Sequence, residues 1–127
     1  MKNRRILLIS MLFTMAGLMS NGAHASDDVN HGSSVFQEEC AVCHSVHPGK
    51  NKMGPSLFGV VGRKAGSVED YAYSDAIKNS GIKWTEEMIE SFIAAPQKFI
   101  PGVGMTYGGL SDARSREDLA AYLNSLH

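Results

Sequence analysis

The sequence predicts an all-α domain of short helices joined by long, glycine-rich loops, and three observations predict it. Capping residues precede stretches of helical apolar spacing. Alternating runs of strand type are absent except for Leu57 to Val61, which Gly59 interrupts. The pentapeptide Cys40-Ala41-Val42-Cys43-His44 contains both cysteines of the chain, and C-x-x-C-H is the attachment signature of c-type haem. On one helical turn, two thiols three positions apart can each add to a haem vinyl group. His44 then lies under the ring with an imidazole nitrogen aimed at iron.

Other uses of this pentapeptide fit less well. A structural zinc site draws four ligands from separated segments. Here Cys40, Cys43, His44 and His47 crowd one stretch, and no second Cys or His pair follows. A thioredoxin-like pair belongs beside a βαβ pattern, which is not legible here. A Cys40–Cys43 disulfide would close too small a loop to add much stability.

The first twenty-five residues read as a secretory signal. Lys2, Arg4 and Arg5 precede an apolar run from Ile6 to Met19, and Ala23-His24-Ala25 supplies a small-x-small cleavage pattern. The run is short for a membrane span; an uncleaved anchor is the alternative. Four of the seven methionines fall in this segment and drop out of any ligand count. Cleavage after Ala25 leaves residues 26–127, one small domain. Losing three basic residues and no acidic ones takes the formal charge from −1 to −4. That sign argues against nucleic acid, which wants concentrated Lys and Arg. A domain this small buries limited surface, so a bound haem would form part of its core.

Each helix has a start signal. Asp27 or Asp28 caps a first helix running to about Cys40, with Val29, Gly32, Val35, Phe36 and Cys40 near one face. Ser74 caps a short helix that stops at Ser80-Gly81. Thr85 caps the next, with Glu86 and Glu87 in its first turn. Met88, Ile89, Phe92 and Ile93 follow helical spacing, which makes Met88 a core residue, and Pro96 marks the end. In the last helix Ser115 with Asp118 reads as a capping-box variant, ahead of a stripe of Leu119, Tyr122, Leu123 and Leu126. The loop from Ser45 to Tyr73 is long for a compact domain, but loops can wrap a large flat cofactor.

Beyond the pentapeptide, several spaced motifs carry a resemblance. They are Gly54-Pro55-x-Leu57-x-Gly59, Gly62-Arg63-Lys64-x-Gly66, and Tyr73 followed by Gly81-Ile82-x-Trp84. Further on come Pro96-x-Lys98-Phe99-Ile100-Pro101-Gly102-x-x-Met105 and Arg116-Glu117-Asp118-Leu119-x-x-Tyr122-Leu123. From about Gly32 to Leu123 the chain resembles class I cytochromes c, the mitochondrial type and its close soluble bacterial relatives. The resemblance implies the class I fold, with one haem c covalently held through Cys40 and Cys43 and attached outside the bacterial cytoplasm. It implies His44 as proximal ligand, its far ring nitrogen donating to the Pro55 carbonyl, which fixes the tautomer. It implies Met105 as distal ligand, a soft neutral thioether that raises the reduction potential. It also implies that Arg63, Tyr73 and Trp84, helped by Ser74, meet the haem propionates, which are costly to bury without donors.

Residue chemistry adds to this. Met105 follows Ile100-Pro101-Gly102, a rigid-then-flexible turn able to present a side chain, and competes with Met53 on the loop nine residues past His44. Gly32 would let the first and last helices approach closely, with Phe36, Leu119 and Tyr122 at the crossing. Phe92 and Val103 stand where hydroxyl residues are common in the family, which makes the Met side of the haem more apolar here. Gln97 and Gly104 replace common lysines, leaving Lys98, Lys50 and Lys52 as a weaker positive rim.

The expected function is one-electron transfer without bond-making chemistry, by a soluble periplasmic monomer. By resemblance the donor would be a quinol-oxidising complex and the acceptor an oxidase, reductase or photosynthetic centre. Two other classes stay open on sequence alone: a haem enzyme or gas sensor with a labile sixth site, and a subunit held by its leader. The weak positive rim predicts little dependence on charge steering. Electron-transfer rates with a purified redox partner should therefore fall only slightly as salt is added; a steep fall would contradict this.

Overall fold

The computed structural model describes residues 28–127; the leader expected over residues 1–25 lies outside the described residues. Regular structure there is helical: α1 (Val29–Val35), a π-helical turn (Phe36–Cys40), α2 (Asp75–Lys78), α3 (Glu86–Ala94), α4 (Pro96–Phe99) and α5 (Ala113–Asn124). Leu57–Val61 forms no strand. Among the described residues, the pairing of β type is one isolated antiparallel bridge between Lys64 and Lys83.

Of the two aspartates that could start the first helix, Asp28 does so. Its backbone is extended, and its carboxylate accepts the N–H groups of Asn30 and His31, each at 3.0 Å. The helix then widens: the Ala41 N–H reaches back five residues to the Phe36 carbonyl at 2.9 Å. Such π turns gather at functional sites, and this one delivers the chain to Cys40.

α1 crosses α5 at Gly32. A Cβ there would sit 1.9 Å from the Asp118 carbonyl oxygen, so only glycine fits. Phe36 and Tyr122 pack with ring centroids 6.0 Å apart, while Leu119 and Leu123 are buried. The capping role expected of Ser115 and Asp118 is corrected. α5 starts three residues earlier, capped by Asp112, whose carboxylate accepts the Ser115 N–H at 2.7 Å. Asp118 instead faces inward at 1% exposure. Its carboxylate accepts from the Asp28 N–H at 2.8 Å, His31 Nδ1 at 2.7 Å and Arg114 Nε at 3.2 Å. The close helix crossing encloses this position, and an enclosed carboxylate must be hydrogen-bonded or paired.

Two further expectations change at α3. The Thr85 hydroxyl accepts the Met88 N–H at 3.2 Å as a cap, and Ile89, Phe92 and Ile93 are buried. Met88, however, is 42% exposed and is not core. At 3.6 residues per turn it lies about a quarter-turn away from the face those three define. Pro96 does more than stop α3, which ends at Ala94. It opens α4 from the first helical turn, where its missing N–H costs nothing. Ser74 sits at the N-cap of α2 but makes no capping bond; its hydroxyl accepts the Gly104 N–H at 3.3 Å.

The long 45–73 loop satisfies its own polar groups. Ser56 Oγ donates to the His47 carbonyl at 2.6 Å, and Asn51 Oδ1 accepts the Ser56 N–H at 2.9 Å. Arg63 donates to the carbonyls of Phe58 and Ser56 at 3.0 and 2.9 Å. A loop tied this way is rigid enough to wall a cavity.

The Asp118 network has a pH signature. Burial alone would push its carboxyl up, but the Asp28 N–H, His31 and Arg114 outweigh that and hold it below the ordinary carboxylate range. The unfolded chain therefore takes up the proton first as pH falls. The stabilisation is complete above the unfolded value of about 4 and is lost as pH drops through the lower folded value. Asp118→Asn should lower stability at pH 7 by about 2 kcal/mol and flatten the acid limb of a denaturation profile taken from neutral to acid pH. An unchanged midpoint at pH 7 would contradict this.

Candidate functional site

The Cys40–His44 turn is held by the Cys40 carbonyl, which accepts the N–H groups of Cys43 and His44 at 3.1 and 2.9 Å. The His44 ring is fixed from the other side by Pro55, whose carbonyl accepts from Nδ1 at 2.8 Å. A carbonyl only accepts, so Nδ1 carries the proton and Nε2 presents a lone pair. Gly54 leaves the room for this arrangement: a Cβ there would lie 2.3 Å from His44 Cε1. Burial lowers the pKa of His44, opposed by the Pro55 bond and aided by Lys52 and Arg63. The ring is thus neutral at pH 7, the state that binds a metal. Burial, with Glu39 and Cys43 nearby, pushes the Cys40 thiol up to about 12. It stays protonated, which removes the thiolate a thioredoxin-like mechanism needs.

Cys40, Cys43, His44, Pro55, Arg63, Tyr73, Trp84 and Met105 all line one cavity of about 490 Å³, within the range of cofactor sites. Ile77, Ile89, Phe92, Ile93, Leu119 and Leu123 supply much of its apolar wall. Tyr73, Ser74 and Arg63 bring polar groups to the same space. Two of the five N–H donors of Arg63 are spent on the backbone carbonyls of its own loop, which fixes the guanidinium; burial lowers its pKa, with Tyr73 opposing. The Tyr73 oxygen accepts the Val68 N–H at 3.4 Å. Met53 sits on the rim at 68% exposure.

The segment carrying Met105 turns at Gly102, whose φ of 84° is a left-handed conformation suited to glycine. Gln97 Nε2 donates to the carbonyls of Val103 and Met105 at 2.8 and 2.9 Å. The Tyr107 hydroxyl donates to Glu39 Oε2 at 2.6 Å; burial first, and then Glu39, hold this phenol well above its ordinary pKa. The Leu110 N–H closes the segment onto the Ile93 carbonyl at 2.8 Å. Across the cavity rim, the Tyr71 hydroxyl donates to the Met53 carbonyl at 2.6 Å.

Sequence reasoning missed Glu39, Tyr71 and Tyr107, and read Gln97 only as a lost lysine. Tyr107 and Glu39 are 68 positions apart, so no local pattern joins them. The nearest signal was that Tyr107 lies two residues beyond Met105 and Glu39 directly before Cys40.

The arrangement has known counterparts. The cytochrome c family model matches residues 29–127. The chain belongs to the cytochrome c family. It is similar to the cytochrome c2 of Blastochloris viridis, at 44% identity over 121 residues, covering 94% of this chain and 93% of that one. The cytochrome c of Gibberella zeae is 47% identical over 100 residues, 78% of this chain and 94% of its own. Among solved structures, cytochrome cH from Methylobacterium extorquens superposes with a TM-score of 0.72 at 40% identity, covering 77% of this chain and 98% of that chain. The helical architecture is accordingly that of a class I cytochrome c.

The cavity fits the family's cofactor on its own features: two thiols on one turn, a neutral imidazole with its second nitrogen facing in, a glycine that spares the ring, and apolar walls. This cytochrome c carries haem c attached through Cys40 and Cys43. It is a haem-based electron carrier and not an enzyme, which removes the haem-enzyme alternative.

Proposed function

We propose that this cytochrome c is a soluble periplasmic carrier whose iron is ligated by His44 and Met105, moving single electrons between membrane redox complexes. The observation that carries the ligation is the His44–Pro55 bond of 2.8 Å. It leaves Nε2 as the free donor in a cavity that Met105 also lines. The bound haem supplies a reversible Fe(II)/Fe(III) couple. His44 is oriented by Pro55 and kept neutral by burial, while Gly54 keeps space behind its ring. Met105 is presented by a segment fastened at Gln97, Ser74 and Tyr107. Arg63, Tyr73 and Trp84 would meet the haem propionates, and the apolar walls would exclude water. With His44 and Met105 both holding the iron, no position would be left for substrate.

Partners are a quinol-oxidising complex upstream and an oxidase, reductase or photosynthetic centre downstream, met through brief, small contacts as is usual for redox encounters. The protein is a monomer. Its periplasmic location rests on the basic, apolar and Ala23-His24-Ala25 parts of the leader. The 121-residue match to the B. viridis cytochrome c2 also reaches into the first twenty-five residues, because residues 26–127 alone are too few to supply it. Among the described residues, no helix is long and apolar enough to cross a membrane.

Met105→Ala should abolish the sulfur-to-iron charge-transfer band of the ferric protein at neutral pH. It should also lower the reduction potential by on the order of 0.2 V, within the span that axial ligands command; an unchanged band and potential would remove Met105 as ligand. N-terminal sequencing of the exported protein should begin at Ser26, whereas an intact leader would make the chain membrane-anchored.

A further inference from the structure

The Met105 segment is fastened chiefly at the exposed rim of the cavity. Toward the interior, Phe92 and Val103 line the walls and offer no hydroxyl, while Ser74 accepts the Gly104 N–H. At the rim, where Tyr107 and Glu39 line the opening, and behind it at Gln97, two side chains grip the segment on either side of the Met105 side chain. The Gln97 amide holds the carbonyls of Val103 and Met105 itself. The Tyr107 hydroxyl, two residues on, is bonded to Glu39 at 2.6 Å. Glu39 directly precedes Cys40, so this second bond ties the Met105 segment to the turn through which the haem is attached. An ionised acceptor makes it one of the stronger hydrogen-bond types.

We propose that the Tyr107–Glu39 bond and the Gln97 amide are a surface latch that sets how fast Met105 yields its place to an external ligand. This rests on Met105 being the axial ligand. For its side chain to swing away, the backbone from Val103 to Tyr107 must move, and that motion breaks one or both grips. The latch thus takes over, from the surface, the retention that an interior hydroxyl at position 92 or 103 could have provided.

The test follows displacement of Met105 by imidazole in ferric holoprotein, read as decay of the sulfur-to-iron charge-transfer band after rapid mixing. Tyr107→Phe and Gln97→Ala should each speed displacement about fivefold, the equivalent of one lost hydrogen bond. Glu39→Ala should match Tyr107→Phe, and Glu39→Gln, which keeps an acceptor oxygen, should return to within about twofold of the parent. Combining Tyr107→Phe with Glu39→Ala should add nothing, because they break one bond, while Tyr107→Phe with Gln97→Ala should multiply. Parent-like displacement rates in Tyr107→Phe and Gln97→Ala, with the band intact, overturn the latch and leave the ligation standing. The same holds if these variants only lower the denaturation midpoint. A parent protein without the band overturns the Met105 ligation and the latch with it.

Discussion

The constraint on which the rest depends is the cavity. About 490 Å³ of space lies among residues that are otherwise the core, including Ile77, Trp84, Ile89, Phe92, Leu119 and Leu123. A domain this small buries limited surface, and much of its apolar interior faces this space. The haem is therefore the centre of the core, and the helices serve as its frame. A short helix such as α2, marginal by itself, makes sense as a wall around a rigid disc, to which it contributes Ile77.

Two tight approaches set that frame. At Gly32 the backbones of α1 and α5 meet so closely that a methyl group would overlap a carbonyl, and this crossing fixes where the π turn releases Cys40. At Gly54 the loop passes behind the His44 ring with no room for a side chain, which lets the Pro55 carbonyl reach Nδ1. Both approaches serve the same end: the cysteines and the imidazole come from one turn whose position is determined from either side.

Much of this was legible in the sequence because it is local. Asp28 and Thr85 cap the helices they precede, and Cys40 to His44 declares itself by spacing. The misreadings share a physical cause. Ser115 with Asp118 resembles a cap, yet Asp112 offers the same geometry three residues earlier. Only the approach of α1, far away in sequence, turns Asp118 into an enclosed acid bonded to Asp28, His31 and Arg114. Met88 shares a helical pattern with Ile89 and Phe92 but misses their face by a fraction of a turn. Ser74 occupies the cap position of α2, yet its hydroxyl braces Gly104. The polar grips on the Met105 segment were invisible because Glu39 and Tyr107 meet only through the fold.

The proposed ligation holds the iron between the imidazole of the Cys40–His44 turn and a thioether from the loop before the last helix. X-ray absorption at the iron edge of the oxidised holoprotein tests this most directly. The scattering shell should contain the haem ring nitrogens, one further nitrogen from His44 and one sulfur from Met105. A shell without sulfur, whether filled by another nitrogen or oxygen or left five-coordinate, would contradict it.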